Sequence, residues 1–116
     1  MNPPTQRATN PAPAAVYQTA RIGTFSYTIP GFAANSSHTI RLHMCETYHT
    51  GAGQRTFNIS INGTQVAAAF DIWATAGATN KAIAQPYTAN ANASGQYVIQ
   101  ISTVVDNGLL SGIEIH

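Results

Sequence analysis

Between Arg55 and Phe70 the chain alternates, turns and alternates again. Phe57, Ile59 and Ile61 are interleaved with Thr56, Asn58 and Ser60. Asn62-Gly63 follows at once, and Thr64–Phe70 runs on from it. Asn-Gly between two period-two runs is the strongest short-range hairpin signal, because a type I′ turn needs positive φ at both centres. The pattern therefore predicts two antiparallel strands joined by a two-residue turn.

The same period recurs along the chain. Phe25, Tyr27 and Ile29 alternate with Thr24, Ser26 and Thr28 until Pro30-Gly31 ends the run. Ile40, Leu42 and Met44 alternate with Arg41, His43 and Cys45, and Gly51-Ala52-Gly53 marks a loop beyond them. Tyr97, Ile99 and Ile101 alternate with Val98, Gln100 and Ser102. Asp106-Asn107-Gly108 turns the chain, and Leu110 to Ile115 closes it. Residues 74–95, rich in Ala, Asn, Thr and Gly, read as loop with one short strand near Ile83 to Tyr87. No segment longer than one turn carries helical periodicity. Several short strands with turn signals between them predict an all-β, antiparallel sandwich or barrel.

Pro3, Pro4, Pro11 and Pro13 exclude a helix or a central strand at the start of the chain. Residues 1–15 read as a proline-rich arm or linker and residues 16–116 as a single domain. Charged residues make up only 8% of the chain, against about 25% in an ordinary globular protein. With a net charge of +1, neither nucleic acid nor an anionic membrane is favoured as a partner. No apolar run approaches the ~20 residues of a membrane-spanning helix. Met1 runs directly into Asn2-Pro3-Pro4 without a signal-peptide pattern, so the chain reads as an excised domain or mature form. The neutral polar surface suits an extracellular protein that is part of a larger protein or assembly. Cys45 is the single cysteine, which excludes an intrachain disulfide and reads as a small buried thiol.

The order and spacing of these motifs resemble the malectin-like domains, a carbohydrate-binding family, over residues 16–115. Tyr17-Gln18-Thr19-Ala20-Arg21 is similar to the family's Tyr-x-Thr-Glu-Arg, with Ala20 in place of the Glu. Leu42-His43-Met44-Cys45-Glu46-Thr47-Tyr48 is similar to its Leu-x-Phe-Ala-Glu-x-Tyr. Arg55-x-Phe57-x-Ile59-x-Ile61-Asn62-Gly63 is similar to its Arg-x-Phe-Asp-Val-x-Ile-Asn-Gly. Phe70-Asp71-Ile72 and Gly112-Ile113-Glu114-Ile115 also match. The family's further N-terminal stretch is absent or replaced by the proline-rich arm, and Ile22 stands where the family usually has Tyr. The resemblance implies a galactose-binding-like, jelly-roll β-sandwich that recognises gluco-configured oligo- or polysaccharides without catalysis.

By the same resemblance, Tyr48, His49, Asp106, Tyr17 and Arg21 would form the ligand site. Tyr48 either stacks on a sugar ring or caps the core edge with a wet hydroxyl. Asp106 either accepts from sugar hydroxyls or serves its turn alone. Glu46, in an alternating core-phase position, is expected to be buried and paired with Arg21 or with backbone amides. Trp73, the only tryptophan, is expected to pack under the long Ala/Asn-rich loop that follows it. The four acidic residues, Glu46, Asp71, Asp106 and Glu114, do not present an evident pair for glycoside hydrolysis. No Gly-x-Ser-x-Gly elbow or metal-ligand spacing is present, so neither catalysis nor a cofactor is expected. Two functions follow: a carbohydrate-binding module, or a structural subunit of an extracellular assembly. In the second, residues 1–15 would mediate self-association by completing a neighbouring sandwich.

Overall fold

A computed structural model describes residues 20–116. The strands are β1 (Arg21–Ile22), β2 (Phe25–Ile29), β3 (Ser37–Cys45), β4 (Thr56–Ile61) and β5 (Thr64–Phe70). After a short helix, α1 (Ile72–Ala76), come β6 (Ala82–Asn90), β7 (Tyr97–Val105), β8 (Leu109–Leu110) and β9 (Gly112–Ile115). A four-stranded sheet in the order β2-β7-β4-β5 faces a three-stranded sheet in the order β6-β3-β9, and β1 pairs with β8 at one end. All pairings are antiparallel. The architecture is the expected all-β jelly-roll sandwich.

Period-two patterning explains the core. Phe57, Ile59, Ile61, Tyr97, Ile99 and Ile101 point inward from one sheet, and Ile40, Leu42 and Met44 from the other; all are buried. Tyr97 is buried to the ring edge, and its hydroxyl donates to the carbonyl of Ala89 at 2.7 Å and that of Ser36 at 3.1 Å. Those bonds satisfy the one polar atom that the ring carries into the core. Cys45 is a buried free thiol as expected, and burial first, then the Glu46 charge, pushes its pKa up to about 11.

The Asn62-Gly63 hairpin forms with φ of 50° and 80°, the positive pair a type I′ turn needs. Two expectations are corrected. The 74–95 stretch is not mainly loop: β6 covers nine residues and pairs with the whole of β3. Its composition hid it because β6 is an edge strand, where Pro86 and small residues are tolerated. Just before that stretch, a five-residue helix begins after Asp71, whose carboxylate caps it by accepting from the Ala74 amide at 2.9 Å. The arm expected at residues 1–15, its self-association, and Tyr17 lie outside the described residues.

Glycine is required where the two ends of the sandwich close. At Gly95 φ is +72°, and a Cβ would sit 2.1 Å from the Phe32 carbonyl oxygen; at Gly53, with φ of +80°, a Cβ meets nothing within 4 Å. Gly53→Ala should therefore cost only the left-handed strain, about 1–2 kcal/mol. Gly95→Ala should add a main-chain clash and cost roughly 2–5 kcal/mol. Urea unfolding of the two variants checks this, and equal losses would contradict it.

Candidate functional site at the loop rim

The β3–β4 loop, residues 46–55, starts and ends on one buried ion pair. Glu46 is 1% exposed, and its Oε1 accepts from Arg55 Nε at 2.7 Å. Its Oε2 accepts from the amides of Tyr48 and His49 at 3.2 and 3.3 Å. Arg55 also donates to the carbonyl of Asn107 at 2.6 Å, which ties the loop to the turn after β7. Glu46 is thus buried and paired as expected, and backbone amides are among its partners. The side-chain partner is Arg55, however, and not Arg21. Glu46 and Arg55 flank the same loop, which was the signal available in the sequence.

The rim is built on this pair. His49 Nε2 lies 2.5 Å from Asp106 Oδ2, and the Tyr48 and His49 rings meet edge-on at 4.9 Å. The His49 carbonyl accepts from Thr79 Oγ1 at 2.8 Å, and Thr79 Oγ1 accepts from Trp73 Nε1 at 3.1 Å. Half-buried Trp73 is thus joined through Thr79 to the β3–β4 loop. Asp71 accepts the Gly53 amide at 2.6 Å in addition to capping α1. Tyr48 itself is 77% exposed. Its backbone is fixed while its side chain stands in solvent.

Of the expected site residues, the structure brings together Tyr48, His49 and Asp106. Arg21 is placed elsewhere: its guanidinium carbon lies 5.0 and 5.2 Å from the ring centroids of Phe25 and Tyr27. A separate polar cluster joins β3 to β9. There Glu114 accepts from Arg41 at 3.1 Å, contacts His43, and lies 3.1 Å from His116 Nε2. The His43 contact first, and the neighbouring cations, hold its carboxyl below the usual glutamate range. Among the described residues, no group of three or more His, Cys, Asp or Glu side chains is arranged to hold a metal ion.

The malectin domain family matches residues 3–113, which is nearly the whole chain. The chain is a malectin domain. A probable receptor-like protein kinase of Arabidopsis thaliana is 35% identical over 119 aligned residues, which cover 90% of this chain and 14% of the kinase. The plant receptor-like kinase FER superposes with a TM-score of 0.83 at 20% identity, over 98% of this chain and 37% of that one. The ANX2 ectodomain from Arabidopsis thaliana superposes with a TM-score of 0.81 at 22% identity, over 89% of this chain and 33% of that one. A further match, with a TM-score of 0.78 at 20% identity over 95% of this chain and 35% of that one, is to a structure of the plant peptide RALF23 with FER and LLG2. The chain thus spans a small part of its curated relative and about a third of each matched structure. An ectodomain is among these matched structures.

The carbohydrate-binding reading, with an oligo- or polysaccharide as partner, is corrected by the same findings. The relatives are receptor-like kinases, and one was solved with a peptide and a second protein. Nor does the rim offer a multi-aromatic platform: among the described residues Tyr48 is the one aromatic in the exposed large apolar set. One isolated ring cannot enclose a sugar in the way that a concave site does.

Two predictions follow from the rim. Glu46→Ala should destabilise the fold by about 3–5 kcal/mol, because it leaves Arg55 buried without its counter-ion. Adding Arg55→Leu should recover part of that loss, and strictly additive effects in urea unfolding would contradict the coupling. Asp106 should act as an acid-sensitive link. Its hydrogen bond with His49, above all, lowers its pKa from the usual 3.8. The stabilisation is therefore complete above that ordinary value and is lost as pH falls through the lowered one. The melting difference between wild type and Asp106→Asn should shrink over that acid range, and a difference independent of pH would refute the link.

Proposed function

We propose that this domain is an extracellular protein-recognition module of a larger receptor-like assembly, engaging peptide or protein partners through the rim at Tyr48, His49 and Asp106. The observation that carries this reading is the placement of exposed apolar side chains. Among the described residues the large ones are Ile22, Tyr48, Val104 and Val105. Val104 and Val105 run directly into Asp106. Ile22 pairs with Leu109, and the Gly23 amide donates to the Gly108 carbonyl at 2.9 Å. Tyr48 reaches the same turn through His49. All four stand at one end of the sandwich, around the Asp106–Gly108 turn.

Apolar side chains gathered at one end of a monomer mark an interaction surface. A tyrosine on a fixed backbone is an efficient anchor, because little conformational freedom is lost when it is covered. The polar remainder of the rim, the His49–Asp106 pair, supplies direction. The kinship with receptor-like kinases supports a peptide or protein as the partner class.

A phage-displayed random peptide library selected on the immobilised domain tests the reading. Enriched clones should bind wild type and lose at least tenfold in affinity, about 1.4 kcal/mol, on Tyr48→Ala. No enrichment, or enriched clones indifferent to Tyr48→Ala, would overturn the proposal. So would Tyr48-dependent binding on a glycan array.

A further inference from the structure

Four Asn-x-Ser/Thr sequons occur in the chain, at Asn35, Asn58, Asn62 and Asn92. Each is a potential acceptor of an N-linked glycan in a secreted protein. The fold treats them differently. Asn62 Nδ2, the atom that would carry the sugar, donates to the carbonyls of Asn90 at 3.0 Å and Gln96 at 3.2 Å. Its Oδ1 accepts from the Val98 amide at 2.7 Å, and it also forms the hairpin turn. A glycan on that nitrogen would displace both carbonyls and hold the hairpin off the β6–β7 connection. Asn58 lies within β4, between β5 and β7, and is half-buried, with Oδ1 accepting the Ala69 amide at 2.9 Å. Asn92 is half-buried and folded onto its own loop, its Oδ1 accepting the amides of Ser94 at 3.0 Å and Gln96 at 2.9 Å.

Asn35 is the exception. It is exposed at the β2–β3 connection, its φ is 60°, and its carboxamide makes no side-chain hydrogen bond among the described residues. Left-handed backbone suits asparagine and lifts the side chain out of a turn. Ser37, the hydroxyl residue of the sequon, is exposed at the start of β3.

The geometry points to Asn35 as the single N-glycosylation site of the folded, secreted domain, because it alone of the four sequon asparagines is exposed; the Oδ1 bonds of Asn58 and Asn92 do not occupy the nitrogen, but both side chains are half-buried. The reaction is a glycosyl transfer from a polyisoprenyl-diphosphate oligosaccharide, supplied with its transferase by the secretory pathway. The Asn35 Nδ2–C1 bond forms, the C1–O bond to diphosphate breaks, and Nδ2 gives up one proton. The placement has a consequence for the rim. Asn35 precedes the first residue of β3, while Glu46 follows the last; at about 3.3 Å per residue, nine strand residues put the two ends roughly 30 Å apart. A glycan at Asn35 therefore shields the end of the sandwich opposite Tyr48 and leaves the rim open.

The test is secretion of the chain from a eukaryotic host, followed by peptide-N-glycosidase digestion and peptide mapping. One glycan should be found, at Asn35. Asn35→Gln and Ser37→Ala should each abolish the mobility shift in secreted material, and Ser37→Thr should keep it. Ser37→Ala leaves Asn35 and its turn intact, so a folding defect of Asn35→Gln cannot account for the result. A secreted, folded chain with no glycan, or with its glycan at Asn58, Asn62 or Asn92, would overturn the assignment.

Discussion

The Glu46–Arg55 pair is the interaction on which the functional end of this sandwich rests. Two charges have left water at the point where β3 ends and β4 begins. Desolvating them costs several kcal/mol per ion, so such a pair adds little net stability by itself. Its effect is positional. With both members in place, Glu46 holds the first amides of the loop and Arg55 holds the turn after β7. Remove either, and a charge is stranded in the core while two loops come loose together. A fold with so few charges gives one of its few carboxylates to this task, and the loop it anchors is the one that presents Tyr48.

From that constraint the rest of the rim follows. A backbone pinned at both ends lets a large side chain stand exposed without local collapse. His49 joins the loop to Asp106, and Thr79 joins it to the segment after α1. The exposed valines before Asp106 and the exposed Ile22 border the same turn. An interface prepared in this way loses less conformational entropy on binding than one that must first order its loops. The opposite end is closed differently, by the Asn62 carboxamide and by Gly95 against Phe32, and Asn35 is exposed there.

Much of the fold was legible in the sequence because period-two patterning reports which face of a strand is buried. Phe57 to Ile61, Asn62-Gly63 and Tyr97 to Ile101 were read in register with the structure. Strand β6 was not, because Pro86 and a run of small residues remove the alternation that an edge strand does not need. Helix α1 is too short for its periodicity to register; only its Asp71 cap could have signalled it. At the site, the burial of Glu46 was readable from its core-phase position. Its partner was misassigned to Arg21, because the cue that identifies Arg55 is its place at the far end of the same loop and not strand periodicity. The convergence of Tyr48, His49 and Asp106 was legible through family resemblance. The ligand was not, because kinship carries the backbone frame of a site while the partner is set by which side chains are exposed on it.

Amide hydrogen exchange at Tyr48 and His49 tests most directly whether the rim is held from within by Glu46. Both amides lie in an otherwise irregular loop, and both donate to the same carboxylate oxygen. Slow exchange at the two positions, lost together in Glu46→Gln under conditions where the strand amides of β3 and β4 stay protected, is the expected result. Rapid exchange at Tyr48 and His49 in the wild-type chain, or protection unchanged by Glu46→Gln, would contradict the account.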